Sequence, residues 1–377
     1  MQMNESVRSY VDAHRQEAFD LLVELAQIPA PSHHEEKRAK FCKTWLEAQG
    51  ATGVYIDEAW NVIYPIGDTG SNDLVSFSAH IDVVFPDLEP LPLRIEDGKI
   101  HCPGIGDDSA NVAALMTVAK YIAQNELSPK GTGVLIVLNS CEEGLGDLKG
   151  CKQLMKTYGS RLKEFVSFDG GYGHIVTGAV GSKRYEVEIC TEGGHSYSAF
   201  GNRNAIYYMA SLIDALYAIK VPTRGKTTYN VGTICGGTSV NTIAQSCSML
   251  YEFRSNSRED LAEMESHFNA AISFFRTKGI TVNVTLKGDR PCSSAVDEDR
   301  HNALIDRAKA ATKCWYDVDS GTCDASTDCN IPLSMGIPAI AFGGYRGRGA
   351  HTREEYLEID SLLPGLKMIF QMVLHHF

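Results

Sequence analysis

Three short, mainly apolar runs in this chain each end in side chains able to hold a proton or a metal ion. Leu74 to Ala79 runs into His80 and Asp82, Gly133 to Leu138 into Asn139-Ser140-Cys141-Glu142-Glu143, and Phe165 to Phe168 into Asp169. Runs this short suit strands buried on both faces, and a helical pattern such as Asn111 to Ala123 stands between two of them. Strands alternating with helices indicate βαβ units and a mostly parallel sheet flanked by helices, the α/β class. Ligands of open parallel sheets bind beyond the carboxyl ends of the strands, where these polar clusters fall.

The rest of the chain fits around that sheet. Val7 to Ile28 has helical spacing and stops at Pro29 and Pro31, and a second helical stretch runs from Glu35 to Gln49. Near Val180 the texture changes to alternating strands. These are Arg184 to Thr191, Thr227 to Ile234, Ser246 to Arg254 and Thr281 to Leu286, with helices at Ala205 to Ile219 and Arg258 to Lys278. Strand–helix–strand–strand–helix–strand describes a small ferredoxin-like α+β domain. After Pro291 the first texture returns, with a helix at Asn302 to Lys313, a strand at Pro338 to Phe342, and a closing helix that Asp360 is placed to cap. The expected organisation is one α/β domain built from residues 1–180 and 291–377, interrupted by an inserted lid at 181–290.

Lys and Arg number 35 against 47 Asp and Glu, a formal charge of 35 − 47 = −12. That balance gives no general attraction to phosphate backbones or anionic lipid, so nucleic acid and membrane surfaces are poor partners. No apolar run is long enough to span a bilayer. The polar start, Met1 to Arg15, lacks the order of a secretory signal, and the eleven cysteines include no C-x-x-C pair. Both point to reduced thiols and a cytoplasmic protein.

Two imidazoles with several carboxylates at strand ends are a ligand set for Zn²⁺, Mn²⁺ or Co²⁺. One carboxylate can bridge two such ions, as in two-metal hydrolases. A separate class of chemistry, a cysteine hydrolase using Cys141 and a nearby histidine, is also compatible with the residue types, as is a non-catalytic binding protein on the same fold.

The stretches that carry this chemistry resemble one family. Ser78-Ala79-His80-Ile81-Asp82, Pro103-Gly104-Ile105-Gly106-Asp107-Asp108, Ser140-Cys141-Glu142-Glu143-Gly144, Gly193-Gly194-His195-Ser196 and Gly349-Ala350-His351-Thr352-Arg353-Glu354-Glu355 follow the motif order of the co-catalytic metallopeptidases. That family includes peptidase T, aminoacylase, acetylornithine deacetylase, succinyl-diaminopimelate desuccinylase and glutamate carboxypeptidase. The resemblance implies a zinc-exopeptidase-like fold and two divalent ions, most often zinc. It implies that residues 1–180 and 291–377 form the catalytic, metal-binding domain and that the lid at 181–290 is also a dimerisation domain. It implies His80 and Asp169 on one ion, Glu143 and His351 on the other, and Asp107 bridging them. Asp82 would orient the His80 ring and Glu142 would be the general base. From the inserted domain, His195 would donate to the developing oxyanion across a dimer interface. Asn241 and Arg254 would form a pair anchoring the substrate. The substrate implied is a small peptide, cut by a di- or tripeptidase or another exopeptidase, with an N-acyl amino acid as the alternative. The chain departs from the usual pattern in Asp107-Asp108-Ser109-Ala110, at the two residues after the paired acids, and at Ala325 to Asn330; which acid of the pair, Asp107 or Asp108, bridges is left open by the sequence.

Overall fold

The computed structural model describes residues 3–377 and divides into two compact units, Met1–Ala179 with Ser294–Phe377, and Val180–Ser293. The longer strands, with one two-residue edge strand, are numbered here in chain order. In the first unit they are β1 (Tyr55–Ile56), β2 (Val62–Ile66), β3 (Leu74–His80), β4 (Gly133–Asn139), β5 (Leu162–Ser167) and β6 (His174–Ala179). The second unit has β7 (Gly181–Cys190), β8 (Thr227–Gly236), β9 (Ser246–Ser255) and β10 (Thr281–Arg290), and the chain then returns to the first with β11 (Gly321–Ala325) and β12 (Ala339–Ala341).

The large sheet has the order β1-β2-β4-β3-β5-β12-β6-β11. Its four central strands, β4, β3, β5 and β12, run parallel, and antiparallel partners flank them at β2 and β6. The mainly apolar character of β3 and β4 has a direct cause. Val75, Phe77, Val134, Ile136 and Leu138 belong to one buried cluster, whereas Leu74, Leu135 and Val137 belong to another on the opposite face. A sheet covered on both faces buries both alternating sets, so both are mainly apolar and the serines of β3, Ser76 and Ser78, are buried with them. One cover includes the helices Arg15–Ala26, Asn111–Gln124 and Leu362–Val373, and the other includes Lys149–Tyr158.

Three local expectations are corrected. The first helical pattern is two helices, Glu5–Ala13 and Arg15–Ala26. They part at His14, whose Nδ1 lies 2.8 Å from the Tyr10 carbonyl and whose ring stacks on Tyr10 at 3.8 Å. The closing helix is capped at Ser361 with no side-chain cap bond, because the Asp360 carboxylate is drawn to Arg346 at 3.0 Å instead. The strands β6 and β11, absent from the sequence reading, form a parallel pair at the sheet edge.

The second unit is one antiparallel sheet, β8-β9-β7-β10, with the helices Ala205–Tyr217 and Arg258–Thr277. Tyr185, Val187 and Ile189 of β7 alternate into its core beside Met249, Tyr251 and Phe253 of β9. Both helices start on side-chain caps, Asn204 for the first and Ser257 for the second. Among the described residues, no helix is long and apolar enough to cross a membrane.

Candidate metal centre

All the strand-end candidates of the first unit meet at the carboxyl edge of its sheet. His80 is the last residue of β3, Glu142 and Glu143 follow β4, and Asp169 follows β5. His351 lies on the connection between two short strands, Gly347–Arg348 and Tyr356–Glu358, which pair with each other. Asp107 and Asp108 sit in the turn that opens the helix Asn111–Gln124.

Asp107 stands between the two imidazoles. Its Oδ1 is 3.0 Å from His80 Nε2 and its Oδ2 is 3.2 Å from His351 Nε2. His351 Nε2 is also 3.0 Å from Glu143 Oε2. Two sets of side chains are gathered closely enough to share a cation, His80 with Asp107 and Glu143, and His80 with Asp108 and Asp169. Asp108 differs from Asp107 in its company, since its Oδ2 accepts from the His80 amide at 3.0 Å and its Oδ1 from Asn111 Nδ2 at 2.6 Å.

The ring of His80 is oriented by Asp82, although chiefly through the backbone. Nδ1 is 3.0 Å from the Asp82 carbonyl oxygen and 3.5 Å from its carboxylate. A carbonyl only accepts, so Nδ1 carries the proton and Nε2 turns a lone pair toward Asp107. Two acceptors at that distance need a cation between them, a proton or a metal ion. The Asp82 carboxylate is taken up elsewhere: Oδ1 accepts from the Glu142 amide at 2.9 Å, and Oδ2 accepts from the Glu143 amide at 3.0 Å and Ser32 Oγ at 2.6 Å. Burial pushes the Asp82 carboxyl up, but the nearby His80 imidazole and hydrogen bonds from Ser32 and the Glu142 amide outweigh it and hold the group below the ordinary carboxylate range.

The electrostatics of the cluster call for positive charge. Burial, with Asp107, Asp328 and Glu143 nearby, pushes Asp169 up to about 7. Hydrogen bonds to Asp107 and Glu143 raise the His351 imidazole to about 10. Glu143 Oε1 is buried and has no hydrogen-bond partner. A buried carboxylate oxygen left unpaired is costly unless a cation meets it. The donor set of two imidazoles and several carboxylates therefore fits divalent metal.

Two supports were not legible as such in the sequence. Glu355 is buried, and its carboxylate accepts the amides of Gly104 at 2.6 Å, Gly106 at 2.9 Å and Asp107 at 3.0 Å, clamping the turn that presents Asp107. Asn111 ties three loops together by donating to Asp108 and to the Gly170 carbonyl at 3.0 Å while accepting the Gly344 amide at 2.8 Å. Each joins segments far apart in the chain, and no local pattern marks such a pairing.

Cys141 is not placed as a nucleophile. It is fully buried, and its thiol donates to Glu35 Oε1 at 3.1 Å. Burial and the adjacent Glu35 carboxylate push it well above the usual thiol range, away from the reactive thiolate.

The remaining candidates lie in the second unit. His195 and Asn241 are neighbours: Gly194–His195 pairs with Thr242–Ile243, and the Ser196 amide donates to the Asn241 carbonyl at 2.9 Å. His195 is exposed, with Nδ1 accepting from the Tyr197 amide at 3.2 Å. Arg254 is not beside Asn241. It pairs with Thr228, at the opposite end of β9 from Cys247 and Gly236. Seven residues at strand rise put those ends about 23 Å apart. Its guanidinium forks onto Glu252, Nε to Oε1 and Nη2 to Oε2, both at 3.0 Å. Asn241 and Arg254 therefore lie toward opposite ends of β9.

Residues 76–375 match the profile of peptidase family M20/M25/M40, most of the chain. The chain belongs to this family. The M20 assignment makes it a metal-dependent hydrolase of amide bonds. Among relatives, the succinyl-diaminopimelate desuccinylase of Corynebacterium glutamicum is 26% identical over 350 residues, covering 90% of this chain and 91% of that one. The uncharacterized protein YqjE of Bacillus subtilis is 25% identical over 371 residues, 93% of this chain and 96% of its own. Among solved structures, a tripeptidase from Staphylococcus aureus superposes with a TM-score of 0.76 at 22% identity, covering 95% of this chain and 97% of that chain. The fold likeness thus extends over 95% of this chain.

Proposed function

We propose that this M20 protein is a dinuclear metallopeptidase that cuts an amide bond in a small peptide. The observation that carries the reading is the position of Asp107, its two oxygens within 3.2 Å of two imidazoles from opposite ends of the chain. In this reading His80 and Asp169 hold one ion, Glu143 and His351 hold the other, and Asp107 bridges them. Zinc, manganese and cobalt all suit these ligands. Bound there, such ions polarise the scissile carbonyl and lower the pKa of an attacking water.

The chain's own residues do the rest. Glu142 takes the proton of the attacking water and delivers it to the leaving nitrogen. Asp82 fixes Glu142 and Glu143 together through their amides, so base and ligand keep a constant separation. His195 is the proposed donor to the developing oxyanion, with Asn241 beside it as a substrate contact, both serving a second copy of the chain. Arg254 would take a substrate carboxylate by releasing Glu252, an exchange of one carboxylate for another. A homodimer through the second unit is supported by its edge strand β8, exposed along most of its length, and by Tyr197, Phe200, Tyr207 and Val240. The eleven cysteines are all free thiols, which supports a cytoplasmic location.

The desuccinylase relatives favour a second reading, an N-acyl amino acid as substrate. One experiment separates the two. The purified protein is analysed for bound metal, then assayed with and without chelator on unblocked di- and tripeptides and on N-acetyl and N-succinyl amino acids. Close to two ions per chain and chelator-sensitive cleavage of peptides is expected. Cleavage confined to the acylated compounds would move the second reading to the front, and chelator-resistant turnover would overturn both.

A further inference from the structure

Two loops meet beside the Glu142–Glu143 turn, and each contains a non-glycine residue in the left-handed region. His33 has φ 74° and Cys141 has φ 56°. Such conformations persist where the surroundings over-determine them, and they concentrate at functional sites. Here the determinant is one buried carboxylate oxygen. Glu35 Oε1 accepts the His33 amide at 3.0 Å, the Cys141 amide at 3.1 Å and the Cys141 thiol at 3.1 Å.

The thiol donates to Glu35, and the same sulfur lies 3.5 Å from His33 Nδ1. His33 is otherwise exposed. Ser32, the preceding residue, is anchored to Asp82. An exposed imidazole is thus tethered at its backbone and at one ring nitrogen, one residue removed along the facing loop from the proposed base. A surface histidine with a purely structural role needs neither the strained backbone nor the tether.

We propose that Glu35 and Cys141 form a clasp that holds the His33 imidazole at the edge of the metal centre, as a further substrate-contacting group for the polar atoms flanking the scissile amide. The proposal rests on the metallopeptidase reading. In it His33 is the residue that contacts substrate, and Glu35 and Cys141 are positioning residues acting through it.

The test uses His33→Gly, because glycine adopts positive φ without strain and the loop keeps its shape. The zinc-loaded variant and wild type are compared on the same panel of di- and tripeptides and N-acyl amino acids, with bound zinc and melting temperature measured in parallel. The expected result is kcat/KM lowered about 10- to 100-fold, the worth of one hydrogen bond to a charged partner, with zinc content and melting temperature retained. Glu35→Gln should lower it in the same direction. A second readout does not depend on turnover. In Glu142→Gln protein carrying ¹³C-labelled histidine, the resonance missing from a His33→Gly companion should move when the best panel compound is added.

Wild-type kcat/KM in His33→Gly, or a resonance unmoved by substrate, overturns the proposal while leaving the hydrolase reading intact. A loss of activity accompanied by lost zinc or a lowered melting temperature also overturns it, since the role is then structural. Wild type inactive on the whole panel overturns the hydrolase reading, and the substrate contact with it.

Discussion

The carboxylate of Asp82 holds the amide of Glu143 at 3.0 Å while its other oxygen holds the amide of Glu142 at 2.9 Å. One side chain therefore sets the direction of both glutamates. Asp82→Asn places an amide nitrogen against one of those N–H groups and breaks the pair. Metal affinity should fall about 10- to 100-fold, the usual effect of losing a ligand's orienting partner. Titration against a competing chelator measures it, and an unchanged affinity would remove Asp82 from this role.

Glu142→Gln removes the proposed base and leaves every proposed ligand in place. Turnover should fall about 10²- to 10⁴-fold with two ions still bound. Elemental analysis beside a rate assay decides the matter: an equal loss of metal would mean that Glu142 is itself a ligand.

Metal removal should destabilise the fold as well as stop the reaction. Asp169 and Asp108 are pushed up by burial and by their acidic neighbours, so the cluster is strained without positive charge. An ion bound only by the folded state adds about 2.7 kcal/mol when its concentration is 100 times Kd. Chelator should lower the melting temperature and zinc restore it. A melting temperature indifferent to both would argue against a native-state metal site.

Stability should also fall in acid through a group remote from the centre. Burial, then Arg307 and His375, lower His376 from 6.5 to about 4. Its ring meets the edge of Phe77 at 5.7 Å. Below pH 6.5 the unfolded chain takes up the proton before the folded one does, so stability rises with pH across this window. About 3 kcal/mol is lost between pH 6.5 and 4, at roughly 1.4 kcal/mol per pH unit. Denaturant titrations of His376→Asn should show a flatter slope there. The same slope as wild type would exclude His376 as the source.

Three of the proposed ligands, His80, Glu143 and Asp169, were legible because they stand at or just beyond the ends of mainly apolar, buried strands, whereas Asp107 and His351 lie in turns. His80 and Glu143 inherit their position from β3 and β4. What was not legible arises from long-range pairing. Glu355 meets the Asp107 turn across 248 positions, and Glu35 meets Cys141 across 106. Neither acid sits in a pattern that names its partner. The edge strands β6 and β11 escaped because His174-Ile175-Val176-Thr177-Gly178-Ala179 and Gly321-Thr322-Cys323-Asp324-Ala325 lack sustained alternation.

The strand β6 has only two neighbours in its sheet, β11 and β12, and both are encoded after the whole of the second unit. During synthesis, β6 therefore waits without a partner while more than a hundred residues of intervening chain emerge. At about 5–20 residues per second that interval lasts several seconds. His351, too, arrives only with this last portion. A ribosome-bound fragment ending before β11 has an unfinished sheet and lacks one of the proposed ligands, so on this reading hydrolytic competence waits for the segment that follows the second unit.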